Sequence, residues 1–405
     1  MIKNNSKFLT MAKDKLGFMR DIRRNFHRHP ELGMQEHKTA ELIAEVLRKL
    51  GIEVKTGIGG TGVVGLLKGN SGNKTVALRA DIDALPMEDQ IEQNYVSEVP
   101  GVAHSCGHDG HIAIQIGAAM ILSSIREKIP GNIKFIFQPS EDTIPGGAVP
   151  MIEDGVLHNP EVNAIFSLHL YPLFKEGTAV VKAGTVSLTS LSFNLTISGR
   201  GGHIAMPHKI VNPILLSALV ISHAESVLPK GLEPGEPIIF DFGSIHGGTV
   251  GNIIPSEVNL KGNIRISSTE LMNKMTEHFE KLIKGIVISN DGSYTLELLN
   301  GYPPIVNNTE LSLMWKRSAE KVLGKDRVFE YDKIMPIGDD VAYFHQHVPG
   351  VYWWLGTKNE KKGYTNPLHS PKFDFNEDVM AIGAAIQAQA ALDFLSIKTS
   401  NQNVK

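Results

Sequence analysis

Residues 104–111 read His-Ser-Cys-Gly-His-Asp-Gly-His, so three histidines, an aspartate and the only cysteine of the chain fall within eight positions. One cysteine cannot form an internal disulfide. Thiolate, imidazole and carboxylate together are the donor set of zinc and its neighbours. Gly107 and Gly110 let the backbone approach closely. Residues 112–125 are apolar and helix-compatible, which sets the cluster where a loop enters a helix. A free cysteine is commonly a small buried hydrophobe, but the density of histidines around Cys106 favours a metal site.

Ligand-type side chains recur at the ends of expected strands. Residues 74–80 have a buried-strand pattern and lead into Asp81-Ile82-Asp83, two carboxylates on one side of an extended chain. Residues 132–138 form another strand pattern, followed by Pro139-Ser140-Glu141-Asp142. Residues 162–168 are apolar and end at His169. Open α/β sheets gather their sites at the C-terminal ends of strands, whereas a single carboxylate there is commonly a turn residue or helix cap. With His369, the residues Cys106, His108, Asp142 and His169 would hold two divalent metals. Such metals sit about 3.5–4 Å apart, and a thiolate or a carboxylate could bridge them. Glu141, beside a ligand, is expected as the general base that moves a proton from water to a leaving nitrogen. Alone, Glu141-Asp142 reads equally well as a surface pair or a helix start. Two rival readings stay open. Cys106 as nucleophile, with His108 or His111 as base, leaves Glu141, Asp142, His169 and His369 without roles. A metal-binding protein without turnover leaves Glu141 unexplained.

The elements that carry these residues fall into two kinds. Residues 18–26 and 38–50 have helical spacing, and His27 and His29 between them read equally as functional or as a solvated helix end. Residues 52–55 and 62–67 read as short strands. After about residue 187 the order becomes strand 191–198, helix 211–227, strands 237–246 and 256–266, helix 269–287 and strand 293–299. That βαββαβ order is the ferredoxin-like sandwich. From about residue 306 a mixed α/β pattern returns, with a helix at 311–322, a strand at 350–355 and an alanine-rich helix at 379–395. The expected architecture is α/β: a catalytic domain, residues 1–187 and 305–405, built on a mostly parallel central sheet flanked by helices. Residues 188–304 form an inserted ferredoxin-like α+β lid and dimerisation domain. A length of 405 residues fits two or three domains. Net charge −3 offers no basic footprint, so no nucleic-acid partner is expected. With no charged-then-apolar leader and no run of about 18 apolar residues, neither a signal peptide nor a membrane partner is expected. The lone cysteine suits a cytoplasmic location.

Together these motifs resemble the amidohydrolase branch of the dinuclear-metal aminoacylase and carboxypeptidase family, which includes hippurate hydrolases, auxin-amide hydrolases and N-acetyl-amino-acid deacetylases. The resemblance runs from His27-Arg28-His29-Pro30-Glu31-Leu32 to the final helix. Its centre is Cys106-Gly107-His108-Asp109-Gly110-His111, joined by Arg79-Ala80-Asp81-Ile82-Asp83, Gln138-Pro139-Ser140-Glu141-Asp142, Ser167-Leu168-His169 and His369-Ser370-Pro371. The resemblance implies that Cys106 bridges the metals, that Asp142 and His369 complete one and that His108 and His169 complete the other. It implies Glu141 as general base and Asp83 as the acid that orients a histidine ligand. Gly199-Arg200-Gly201-Gly202-His203 resembles the lid motif, whose histidine reaches the partner subunit's site and stabilises an oxyanion. Asn252 matches a substrate-contacting lid position. Alone, His203 reads as a loop histidine and Asn252 as a turn residue. Three positions depart from the pattern: Asp142 stands for a usual Glu, Gly338-Asp339-Asp340 for Ser-Glu-Asp, and Asn212 for Asp. The first bears on metal grip and the second on substrate preference.

The implied activity is a metal-dependent hydrolase that cleaves the amide of N-acetyl or other N-acyl amino acids, or related small conjugates. A dipeptidase or carboxypeptidase on the same scaffold, or a non-catalytic metal-binding protein, is the alternative. Two divalent ions per chain are expected, zinc first, with manganese, cobalt or nickel as the other candidates. A homodimer through the lid is expected, because the lid's exposed strands or helix need cover.

Overall fold

Four strands rich in β-branched and aromatic residues run parallel at the centre of a computed structural model that describes residues 6–228, 232–233 and 235–397. In sheet order they are Asn132–Gln138, Thr75–Asp81, Ala164–Lys175 and Gly350–Lys358. Gly62–Lys68 and then Glu53–Ile58 extend the sheet antiparallel on one side. Ala179–Val181, antiparallel to Gly350–Lys358, and then Val328–Glu330 extend it on the other. Every residue of Thr75–Asp81 is buried, as expected of a strand covered on both faces. The helices Lys7–Arg28, His108–Ser123 and Val379–Ser396 pack on one another, and Thr309–Leu323 packs on the last of them. The approach is close at Gly117, where a Cβ would lie 2.2 Å from Met19 Sδ and 3.1 Å from Ala384 Cβ. Val379–Ser396 is long and apolar enough to cross a bilayer, yet most of it is buried in this core.

Contacts divide the chain into two compact units: Met1–Val186, Val306–Lys333 and Asp339–Lys405 in one, Ser187–Ile305 and Ile334–Gly338 in the other. Residues 1–5, 229–231, 234 and 398–405 lie outside the described residues. In the second unit, Thr189–Ser198, Ile238–His246, Glu257–Ile266 and Ser293–Asn300 form one antiparallel sheet. The helices Pro213–Val227 and Thr269–Val287 pack on it around Phe193, Ile264, Met275 and Phe279. Ile334–Gly338 joins this unit through the Arg265 Nη1 bond to the Pro336 carbonyl, 3.0 Å, and a bridge from Met335 to Ser187.

Three elements differ from the expectation. The first helix starts at Lys7, where the Ser6 hydroxyl accepts the Leu9 N–H and Phe8, Leu9 and Ala12 are buried. The helix after the cysteine starts at His108, so His108 and His111 lie on its first turn rather than in the loop. The strand expected to stop at His169 continues to Lys175, because Gly350–Lys358 pairs with it beyond His169, opposite His169 at Trp354 and, after a register shift past Gly356, opposite Lys175 at Lys358.

Candidate metal centre

The loop before His108 turns tightly: Gly107 takes φ 88°, and its N–H donates to the His104 carbonyl at 3.3 Å. This turn brings Cys106 beside His169, which lies within the strand Ala164–Lys175. Donor atoms of Cys106, His108 and His169 lie within 4.8 Å of one another, as do those of Cys106, Asp142 and His369. Two triads therefore share one sulfur. His369 takes φ 62°, and its N–H donates to the Ser105 carbonyl at 2.8 Å, which ties it to the cysteine loop.

The far side of the His108 and His169 rings is fixed. His108 Nδ1 lies 2.9 Å from the Asp83 carbonyl and 3.1 Å from Asp83 Oδ1. His169 Nδ1 lies 2.7 Å from the Leu170 carbonyl. A ring nitrogen facing a carbonyl carries the proton, so in the neutral ring it is Nε2 that holds the lone pair. His169 Nε2 is 3.6 Å from Cys106 Sγ. His108 Nε2 is buried without a hydrogen-bond partner among the described residues, and so is Asp142 Oδ2. These two atoms lie 3.8 Å apart, and His108 Nε2 is 3.7 Å from Glu141 Oε2. Two imidazole nitrogens, a cysteine sulfur and a carboxylate oxygen brought together here are the donor set a divalent cation completes. The residues fit such an ion.

The electrostatics agree. Burial and then Asp142 push the Cys106 thiol up to about 11. Hydrogen bonds to Asp142 and Cys106 lift His369 to about 10. Burial and the neighbouring His111 lower His169 to about 3. Glu141 is held well above the ordinary carboxylate range by burial and then by Asp339 and Asp142, with His108 opposing. A thiol kept protonated beside a histidine kept charged marks a nest of anions short of positive charge.

Other expected residues have different partners. His111 Nδ1 faces Asp81, and its Nε2 accepts the Leu170 N–H at 2.9 Å, so neither nitrogen is free to serve Cys106 as a base. His29 is exposed at the helix end, as one reading of it had it. His27 is not a solvated end: it is 2 % exposed, with Asp109 at 2.8 Å and Asp89 at 3.1 Å. Asp339 and Asp340 are buried on the Arg79 guanidinium. His203 and Asn252 belong to the second unit and are neighbours there: His203 Nδ1 accepts the Ala205 N–H at 3.1 Å, and the Asn252 carbonyl accepts the Ile204 N–H at 3.2 Å. Asn212 caps Pro213–Val227 through the Ile214 N–H.

Sequence reasoning missed Arg23. It is 1 % exposed, donating from Nε to Asp109 at 2.8 Å and from Nη2 to Asp374 at 2.7 Å. It thereby joins the residue after His108 to the segment after His369. The only signal for it is its place on a helix that also carries Met19, Ile22 and Phe26 on the buried side.

Residues 77–393 match the sequence profile of peptidase family M20/M25/M40. The chain is 37% identical over 377 residues to thermostable carboxypeptidase 2 of Saccharolobus solfataricus, covering 92% of this chain and 94% of that one. It is 32% identical over 373 residues to N-acetylcysteine deacetylase of Bacillus subtilis, covering 92% and 95%. Its fold is similar to that of the Bacillus subtilis YXEP protein, described as a dinuclear metal binding peptidase from the M20 family. The TM-score is 0.82 at 29% identity, covering 95% of this chain and 99% of that one.

Proposed function

This chain belongs to peptidase family M20/M25/M40 and is a metal-dependent hydrolase of linear amides, and from that premise we propose that it releases a free amino acid from an N-acyl amino acid, with the acetyl conjugates first. One observation carries the reading: two donor triads share Cys106, and Glu141 lies 3.7 Å from His108 Nε2 and next in the chain to Asp142. We assign Cys106, His108 and His169 to one cation and Cys106, Asp142 and His369 to the other, with zinc preferred for a sulfur-containing set. When bound, such ions supply Lewis acidity that polarises the acyl carbonyl and makes water acidic enough to attack at neutral pH.

The rest falls to side chains. Glu141 takes the proton from the attacking water and delivers it to the departing nitrogen. Its carboxylate lies 3.7 Å from His108 Nε2, within one water of the donors, which is the reach a general base needs. Asp83 fixes the ring of His108 through Nδ1 and accepts the Asp142 N–H at 2.9 Å, so one carboxylate steadies two donors. His203, on the short Gly202–His203 strand, is assigned to the oxyanion and Asn252 beside it to substrate contact. Both act across a homodimer formed through the inserted unit. The sheet edge Ser293–Asn300, where Leu298 and Leu299 are exposed, supports such pairing. We assign the protein to the cytoplasm, where a lone thiol stays reduced.

Identity to a carboxypeptidase favours a second reading, in which the acyl group is itself an amino acid. Comparing acetyl-amino acids with dipeptides separates the two. The test of the base is Glu141→Gln: metal content unchanged and kcat lower by at least about a hundredfold. A fully active variant would remove Glu141 from the mechanism.

A further inference from the structure

We propose that Glu36 is a positioning residue that sets the Glu141 carboxylate by pinning the backbone amide of Ser140, an inference that rests on reading Glu141 as the base. Ser140 takes φ 53°. That left-handed conformation is uncommon for a residue with a Cβ and persists where its surroundings hold it. Two contacts do so. Glu36 Oε1 accepts the Ser140 N–H at 2.8 Å, and Asp83 Oδ2 accepts the Asp142 N–H at 2.9 Å. The amides on either side of Glu141 are therefore each held by a buried carboxylate.

Glu36 is fully buried, and no ion pair to it is found among the described residues. A buried carboxylate is tolerated only when hydrogen bonds replace its water. It does not spend those bonds on its own helix. It stands at the N-cap of His37–Lys49 without a side-chain capping bond, and Glu31 caps that helix instead, through the Lys38 and Thr39 N–H groups at 3.2 and 2.8 Å. The second oxygen of Glu36 accepts the Thr61 hydroxyl, which fixes the carboxylate plane. Gly33 completes the fit: a Cβ there would lie 2.7 Å from Ser140 Oγ and 3.2 Å from Ser140 Cα. The Glu31–Glu36 stretch thus lies directly on the base-bearing loop, which gives this motif a role the metal centre itself does not supply.

The experiment is a double-mutant cycle on the metal-loaded full chain: unaltered protein, Glu36→Ala, Glu141→Gln and the pair, with Glu36→Gln alongside. The substrate is the N-acetyl amino acid that the unaltered protein hydrolyses fastest. Glu36→Ala should lower kcat about a hundredfold, the scale of a displaced catalytic group, with KM within about twofold. Glu36→Gln should recover most of the rate, because its amide oxygen still accepts the Ser140 N–H. In the Glu141→Gln background, removing Glu36 should cost nothing further. An unchanged kcat in Glu36→Ala, or the same loss with and without Glu141, overturns the proposal. Full activity of Glu141→Gln alone is a different result, and it overturns the assignment of the base. Should Glu36→Ala fail to fold, Thr61→Val carries the test. It frees one oxygen of Glu36, a roughly fivefold loss in kcat is expected only where Glu141 is present, and no loss refutes the proposal.

Discussion

Replacing Arg23 by methionine removes one side chain and strands two carboxylates. Arg23 donates to Asp109 at 2.8 Å and Asp374 at 2.7 Å, approaches Glu377 at 3.4 Å, and lies over the Phe375 ring at 4.0 Å. Without it, Asp109, which is fully buried, keeps only His27 among the described residues, on the same oxygen. Among the described residues Asp374 keeps only the Tyr95 hydroxyl, at 2.9 Å. Breaking a buried ion pair from one side costs about 3–5 kcal/mol, while methionine restores most of the packing against Phe375. In a unit of this size about 2 °C is lost per kcal/mol, so Tm should fall by about 6–10 °C. Arg23→Lys keeps the charge but cannot reach both carboxylates at once, so its loss should be about half. Calorimetry on metal-loaded protein measures both. Because Asp109 follows His108 and Asp374 follows His369 by five residues, metal affinity should fall as well. A Tm within 1–2 °C of the unaltered protein would refute the claim that this guanidinium joins the two halves of the centre.

The other predictions concern pH and the support of His108. Burial alone would lower the His27 pKa, but Asp109 by charge and hydrogen bond, with a further bond from Asp89, raises it from 6.5 to about 9. The folded state therefore holds this proton more tightly than the unfolded chain. The stabilisation is complete below about pH 6.5, is lost as pH rises to 9, and amounts to about 3 kcal/mol. Urea midpoints from pH 6 to 9.5 should fall more steeply for the unaltered protein than for His27→Gln, and parallel curves would contradict this. Asp83→Ala frees the Nδ1 side of His108, so metal affinity should drop about 10–100-fold. Competition with a chelator measures it, and unaltered affinity would remove Asp83 from the ligand support.

How much of this could be read in the chain follows from how local each signal is. Residues 132–138 were expected as a strand and form one over the same range, because the alternation and the Gln138-Pro139 stop lie within a few positions. The structure gathers the donor atoms of the five candidate ligands into two triads; in the sequence Cys106 and His108 stand out at a helix start, and Asp142 and His169 beside strand patterns. His27 does not stand out, since its partners Asp89 and Asp109 are more than 60 residues away. Glu36 looked like one more charge before a helix. Only the fold brings Ser140 onto it, across 104 positions. The strands Ala179–Val181 and Val328–Glu330 escaped notice because three residues are too few to show alternation. The continuation of Ala164–Lys175 past His169 depends on its partner strand, not on its own pattern.

The most direct test is metal content and turnover on one preparation. The account predicts about two divalent ions per chain. It also predicts release of free amino acid from an N-acyl amino acid or a dipeptide that disappears on chelation and returns with zinc, manganese, cobalt or nickel. Two ions per chain with no amide hydrolysed across the acyl and dipeptide panel would contradict it, as would activity that needs no metal and is blocked by alkylation of Cys106.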